Sequence, residues 1–326
     1  MGKYTAIDDP SAYFHTQIFT GGGSFNDSHT NDAHSGNFQP DLIWAKDRAN
    51  AYNHDLVDSS RGPTVAFHPN TTAAEYTRTQ SNYDFTSFDS NGFTTGGPDF
   101  TNSFGGNTNT DGKVAWQWKA NGGTTSSNGD GGITSTVQAN TTAGFSIITY
   151  TGNSNNPSSI GHGLGVVPKF YVIRQRNGAN AWKVYHSGIA TDAEDYVIEL
   201  NTTGARENNT IWNDTGPTSS VINFTDHGSV NQSGDTYVAY CFAEKQGYSK
   251  FGGYVGNGNS NGPFVYTGFK PAFVMIKRTD DTGGWTIYDT KRGFNGNNYE
   301  LFPHSAEAEY TGTSYFEADI LSNGFK

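Results

Sequence analysis

Pro168-Lys-Phe-Tyr-Val-Ile-Arg-Gln-Arg176 decides how this chain folds, because Pro40-Asp-Leu-Ile-Trp-Ala-Lys-Asp-Arg48 and Pro271-Ala-Phe-Val-Met-Ile-Lys-Arg-Thr279 share its plan. Each is a proline, then an apolar run, then a basic residue. Such a run is a strand, and proline suits its head because it has no amide to offer the ladder. Working outward, His54, Trp182 and Trp285 each stand 14 residues past their proline, followed by the apolar pairs Leu56-Val57, Val184-Tyr185 and Ile287-Tyr288. These are second strands. Arg61-Gly62 and Arg292-Gly293 both begin 21 residues past a proline, and Ser-Asn-Gly-Phe recurs at Ser90–Phe93 and Ser322–Phe325.

The first two units close alike. Thr110-Asp-Gly-Lys-Val-Ala-Trp-Gln-Trp118 and Ser233-Gly-Asp-Thr-Tyr-Val-Ala-Tyr-Cys-Phe242 each place a polar turn before a strand containing Val-Ala-aromatic. Each unit opens with a strand running into a Gly/Asn-rich turn, at Gln17–Gly23, Phe145–Asn153 and Phe251–Gly258. A unit of about 100–125 residues built from short strands has the size and pattern of a β-sandwich. The expected fold is therefore all-β, as tandem antiparallel β-sandwich repeats. Residues 1–120 form the first with its N-terminal strand, 121–143 a Gly/Ser/Thr/Asn linker, 144–246 the second, and 250–326 a partial third. The third lacks a counterpart of Val114–Trp118, so the expectation is either a chain continuing past Lys326 or a strand supplied by β-augmentation.

Composition agrees. Among 326 residues there are 41 Gly against 22 Phe, 18 Tyr and 6 Trp, so turn formers and large rings dominate over helix formers. No window approaches 18 consecutive apolar residues, which argues against membrane insertion. One cysteine, Cys241, excludes an intramolecular disulfide. A net charge of −11 without a Lys/Arg run argues against nucleic acid.

Candidate chemistry is thin. Gly258-Asn-Ser-Asn-Gly262 has the spacing of a nucleophile elbow but runs into Pro263-Phe-Val-Tyr266, a strand and not a helix. Cys241 sits in an apolar strand and reads as packing. No catalytic residue is assigned and no metal site is expected: His29, Asp32 and His34 share one polar loop, and Glu194, Asp195 and Glu199 are only the weakest acid candidates for glycoside hydrolysis. No cofactor is expected, with calcium at Asn107–Asp111 or Asp280-Asp281 as the minor alternative. For glycan binding the candidates are Trp212, in the polar stretch Asn209–Asp214, and Trp182 and Trp285 at the repeated position, whose default role is to plug the sandwich. Pro40, Pro168, Pro271, Arg61, Gly62, Arg292 and Gly293 are read as structural, with Arg61 and Arg292 pairing with Asp58 and Asp289.

Tyr4-Thr-Ala-Ile-Asp-Asp-Pro-Ser-Ala-Tyr-Phe-His-Thr-Gln-Ile-Phe-Thr20, with Pro40–Arg48, His54, Asp58–Gly62, Asn70–Glu75, Phe88–Phe93 and Val114–Ala120, resembles a repeat of large virion-associated proteins of tailed bacteriophages. The likeness is greatest to those infecting marine bacteria and cyanobacteria. The second unit departs from it by lacking Arg-Gly and Ser-Asn-Gly-Phe. The resemblance implies a lectin-like, jelly-roll type of sandwich array in a tail fibre, head fibre or other exposed virion protein, and it names no ligand. With it, the expected role is a non-enzymatic, homo-oligomeric virion component, assembled in the host cytoplasm, that contacts other virion proteins and takes part in host recognition through surface polysaccharide. A capsid decoration or other architectural protein is the first alternative, and a polysaccharide depolymerase the second.

Overall fold

The computed structural model describes residues 5–20, 27–32, 37–78, 85–96, 104, 112–293, 295, 299–312 and 318–326. It is all-β. The first segment holds β1 (Phe14–Thr20), β2 (Asp27–His29), β3 (Leu42–Asp47), β4 (Asp55–Asp58), β5 (Val65–Phe67), β6 (Tyr76–Thr77), β7 (Phe85–Asp89), β8 (Gly92–Thr95) and β9 (Gly112–Trp118). Then come β10 (Ser126–Asn128), β11 (Ser135–Asn140), β12 (Phe145–Thr151), β13 (Ser158–Gly161), β14 (Phe170–Gln175), β15 (Lys183–His186), β16 (Tyr196–Glu199), β17 (Glu207–Asn208), β18 (Val221–Phe224) and β19 (Thr236–Phe242). The third segment holds β20 (Val265–Tyr266), β21 (Phe273–Lys277), β22 (Trp285–Asp289), β23 (Ile320–Leu321) and β24 (Gly324–Phe325). Among the described residues no helix is long and apolar enough to cross a membrane.

The strands pair antiparallel into two large sheets, ordered β1-β9-β3-β4-β5-β6 and β10-β11-β12-β19-β14-β15-β16-β17. Smaller sheets β2-β8-β7, β13-β18 and β20-β24-β23 accompany them, and β21 pairs with β22. The three proline-headed runs make hairpins of identical register. Leu42 faces Asp58, Phe170 faces His186 and Phe273 faces Asp289. Pro40, Pro168 and Pro271 are all buried, two residues before their strands.

The stretch 121–143 is not a linker. Its β10 and β11 extend the eight-stranded sheet along β12. Its start is fixed because the Asp41 carboxylate accepts the amides of Ala120, Gly122 and Gly123 at 2.7, 3.0 and 2.9 Å. The Gln138 amide donates to Ser59 and Ser60 of the first segment. Buried acceptors on neighbouring strands supply the order that composition alone does not suggest. Phe251–Gly258, expected to be an opening strand, carries no strand.

Nor do the segments stand apart. One hydrophobic core runs through all three, from Leu42 and Trp116 through Tyr171, Trp182 and Trp212 to Trp285 and Ile287. A smaller cluster around Phe19, Phe85, Phe93 and Phe104 lies within the first segment.

The segments interlock cyclically. The indole of Trp182 donates to the Thr71 carbonyl at 3.2 Å, that of Trp285 to the Glu199 carbonyl at 2.8 Å, and His54 Nε2 lies 3.1 Å from the Phe302 carbonyl. Thr71, Glu199 and Phe302 each stand 31 residues past their own proline. A second set of bonds runs the same cycle, from the amides of Glu75, Arg206 and Glu309 to the carbonyls of Arg176, Thr279 and Arg48. Each accepting residue is eight past its proline. Every segment is thus bonded to both others.

Candidate functional site

The three tryptophans that are candidates for glycan binding face inward. Trp212 sits in a single helical turn, Thr210–Trp212, started by Asn209, whose side chain accepts the Ile211 amide at 3.0 Å. That turn swings Ile211 and Trp212 into the core while their polar neighbours stay outside, and the indole donates to the Tyr196 carbonyl at 3.0 Å. Tyr171 and Tyr185 meet its ring edge-on. With Trp182 and Trp285 also buried and bonded across segments, none of the three offers a free face to a pyranose. The glycan-binding assignment of Trp212, Trp182 and Trp285 is therefore corrected: Trp182 and Trp285 plug the core, as their default reading had it, and bond one segment to another, while Trp212 packs within the second segment.

The Asp-Arg corners form as expected, but inside the protein. Asp58 Oδ2 lies 2.6 Å from Arg61 Nε and Asp289 Oδ2 lies 2.5 Å from Arg292 Nε, all four side chains fully buried. Gly62 and Gly293 follow at φ +92° and +146°, conformations that a Cβ would strain. Each corner also reaches another segment. Tyr240 of β19 donates to Asp58 at 2.7 Å, and Trp116 of β9 donates to Asp289 at 3.0 Å. Tyr240 and Trp116 are the same position in the Val-Ala-aromatic pattern. A buried ion pair ringed by such donors has its desolvation offset and serves to fix register.

Among the described residues the remaining candidates do not assemble into chemistry. Burial pushes the Cys241 thiol far up, so it stays protonated and inert. Gly258–Gly262 is an exposed asparagine turn in which Asn257 and Asn259 cap the following amides. His29 is buried against Phe19 and Phe93 with Nε2 on Thr95 Oγ1, while Asp32 pairs with His15 and Lys291. His34 and Asn107–Asp111 lie outside the described residues. Asp280 and Asp281 pair with Arg278, and Glu199 pairs with Lys183. Among the described residues, no three His, Cys, Asp or Glu side chains gather closely enough to hold a metal.

The third segment instead exposes several large apolar side chains. Tyr254, Val255, Phe264 and Tyr266 are 47%, 87%, 48% and 64% exposed. β20 and β24 set Val265 opposite Phe325 and Tyr266 opposite Gly324, and the Tyr254 ring meets Phe325 edge-on at 6.1 Å. Tyr254-Val255-Gly256-Asn257 aligns with Tyr150-Thr151-Gly152-Asn153, and Phe19-Thr20-Gly21 takes the same place in the first segment. Phe19 and Tyr150 are only 6% and 5% exposed because β1 and β12 each lie against a closing strand. That alignment is the sequence signal for these exposed side chains.

β3 is flanked by β4 and β9, and β14 by β15 and β19, whereas among the described residues β21 pairs with β22 alone. Leu42–Lys46 and Phe170–Arg174 are buried throughout, while in Phe273–Lys277 only Val274 is. An uncovered strand edge bordered by apolar side chains is suited to binding another polypeptide.

The family described as Domain of unknown function (DUF7483) matches residues 9–326. No curated protein and no solved structure matches the chain.

Proposed function

The chain belongs to the DUF7483 family, and from there we propose that it is a structural, non-enzymatic component of a tailed-bacteriophage particle, located in the virion and working by assembly with other virion proteins. In this reading the three matched segments are sandwich repeats of the lectin-like kind, closed on one another into one body. The observation that carries it is the exposure of large apolar side chains on the third segment, Tyr254, Val255, Phe264 and Tyr266. The resemblance of the proline-headed runs to virion repeats supports the setting. The inward tryptophans and the inert thiol weigh against sugar recognition through those rings and against thiol chemistry.

A fibre that binds host surface polysaccharide is the second reading, and the exposed rings of Tyr254 and Tyr266 are what favour it. The test is to offer labelled chain to host cells and to the proteins of disrupted particles. Assembly predicts capture by a virion protein, lost in the double variant Phe264→Ser/Tyr266→Ser, without cell binding. Saturable cell binding displaced by the host's polysaccharide would overturn it in favour of the fibre.

A further inference from the structure

We propose that Lys113 and Asp47 join in an intramolecular isopeptide bond, formed by the folded chain itself, which staples β9 covalently to β3. The inference goes beyond the assembly reading and does not depend on it.

The two residues stand opposite each other on adjacent strands, Asp47 ending β3 and Lys113 near the start of β9. Lys113 Nζ lies 2.7 Å from Asp47 Oδ2, and both side chains are closed off from water. The ammonium has three hydrogens to give and, among the described residues, this one acceptor. The other carboxylate oxygen is held separately, for Oδ1 accepts the amides of Ala49 and Asn50 at 2.9 and 2.8 Å. Lys46 pins the turn that carries those amides, donating to the carbonyls of Asp47 and Asn50 at 2.6 and 2.9 Å.

The repeat shows that this pair is not needed to build the sheet. Asp47, Gln175 and Arg278 each stand seven residues past their proline, and in the second sheet the matched position sets Gln175 opposite Tyr237. The Asp-Arg corners, by contrast, recur in the first and third segments. A buried ion pair is little better for stability than apolar side chains of the same size, so a pair that one segment adds on its own calls for another use. An amine and a carboxyl carbon held together away from water supply one.

The hydrogen-bonded proton passes from Nζ to Oδ2, turning the ion pair into a neutral amine and a carboxylic acid, a conversion that exclusion of water favours. The amine lone pair attacks Cγ, and the charge that develops on Oδ1 falls on the two amides already bonded there, an oxyanion hole made by the turn. A second proton then moves from Nζ to Oδ2, the Cγ–Oδ2 bond breaks, and Oδ2 departs as water. Of the three ammonium hydrogens two leave in that water and one stays on the new amide, so no oxidant, cofactor or further reactant enters. Fixed contact between the two groups supplies the effective concentration that an amine and a carboxylate in solution lack. In a chain whose single cysteine is free, the bond ties strands whose joined residues lie 66 positions apart.

The test is the intact mass of the full chain, folded and then denatured for mass spectrometry. The chain should weigh one water less than its sequence requires, and digestion should release a branched peptide joining Lys113 to Asp47. Lys113→Arg and Asp47→Ala should restore the full mass, while Asp47→Asn should lose one ammonia in place of the water, since its leaving group is then nitrogen. An Asp-Gly step such as Asp130-Gly131 can also lose water by closing to a succinimide, but mild base reopens that ring and leaves an isopeptide bond intact. The full mass in the unaltered chain overturns the proposal and makes Lys113 and Asp47 an ion pair only. A water loss that mild base reverses, that survives Lys113→Arg, or that maps to other residues overturns it equally.

Discussion

The Nε2 of His54 lies 3.1 Å from the carbonyl oxygen of Phe302, 248 residues further along the chain. This contact bonds the first segment to the third and completes the cycle begun by Trp182 on Thr71 and Trp285 on Glu199. His54 Nδ1 accepts the Trp44 indole at 2.9 Å, so Nε2 carries the proton and donates. The imidazole is held neutral: burial, aided by the Lys46 ammonium, pushes it down to about 3.

Stability should therefore fall on acidification. Below pH 6.5 the unfolded chain protonates this histidine while the folded chain does not until about pH 3, so the unfolded state binds the extra proton across that window. The contribution, about 5 kcal/mol at most, is present in full above pH 6.5 and lost toward pH 3. Other buried histidines act in the same sense, and His68, raised by Asp55 against its burial, acts oppositely. The His54→Gln variant isolates the effect: denaturant unfolding at pH 4, 5 and 7 should show a flatter pH dependence than the parent.

The corner carboxylates make a graded prediction. Tyr240→Phe removes one donor from buried Asp58 and should cost about 1–3 kcal/mol. Arg61→Met and Arg292→Met leave a buried carboxylate without its cation and should cost about 3–5 kcal/mol each. Adding Asp58→Asn to Arg61→Met should recover part of that loss. Unfolding midpoints compared across the set check the order.

Trp212 separates core from binding site. Trp212→Ala should cost about 3–5 kcal/mol through the cavity it leaves, whereas Trp212→Phe keeps most of the packing and should cost less. Neither should change capture of the folded protein by its partner, measured at a temperature where both variants stay folded.

Cys241 should be silent to thiol reagents in the native protein and react at once on unfolding, because burial both hides the sulfur and keeps it protonated. A time course with an aromatic disulfide, with and without denaturant, reads this directly.

Much of the fold was legible because strands and corners leave side-chain signatures. The proline heads, the apolar runs of β3 and β14, the repeated His/Trp position and the Asp-Arg pairs all required particular residue types. The closed cycle was not legible, since its acceptors are main-chain carbonyls of Thr71, Glu199 and Phe302, which any residue supplies. β10 and β11 were hidden because Gly, Ser, Thr and Asn serve a loop and a polar edge strand equally, with order coming from Asp41 in another segment. Trp212 misled because its flanks are polar while one helical turn buries the ring.

Hydrogen exchange along the three proline-headed strands tests the assembly reading directly, that the third segment engages another virion protein. Amides of Leu42–Asp47 and Phe170–Gln175 should be protected throughout, while those of Phe273–Lys277 turned away from β22 should exchange rapidly in the isolated chain and become protected when the partner is added. Uniform protection of Phe273–Lys277 in the isolated chain would mean that the edge is already covered, and would contradict the account.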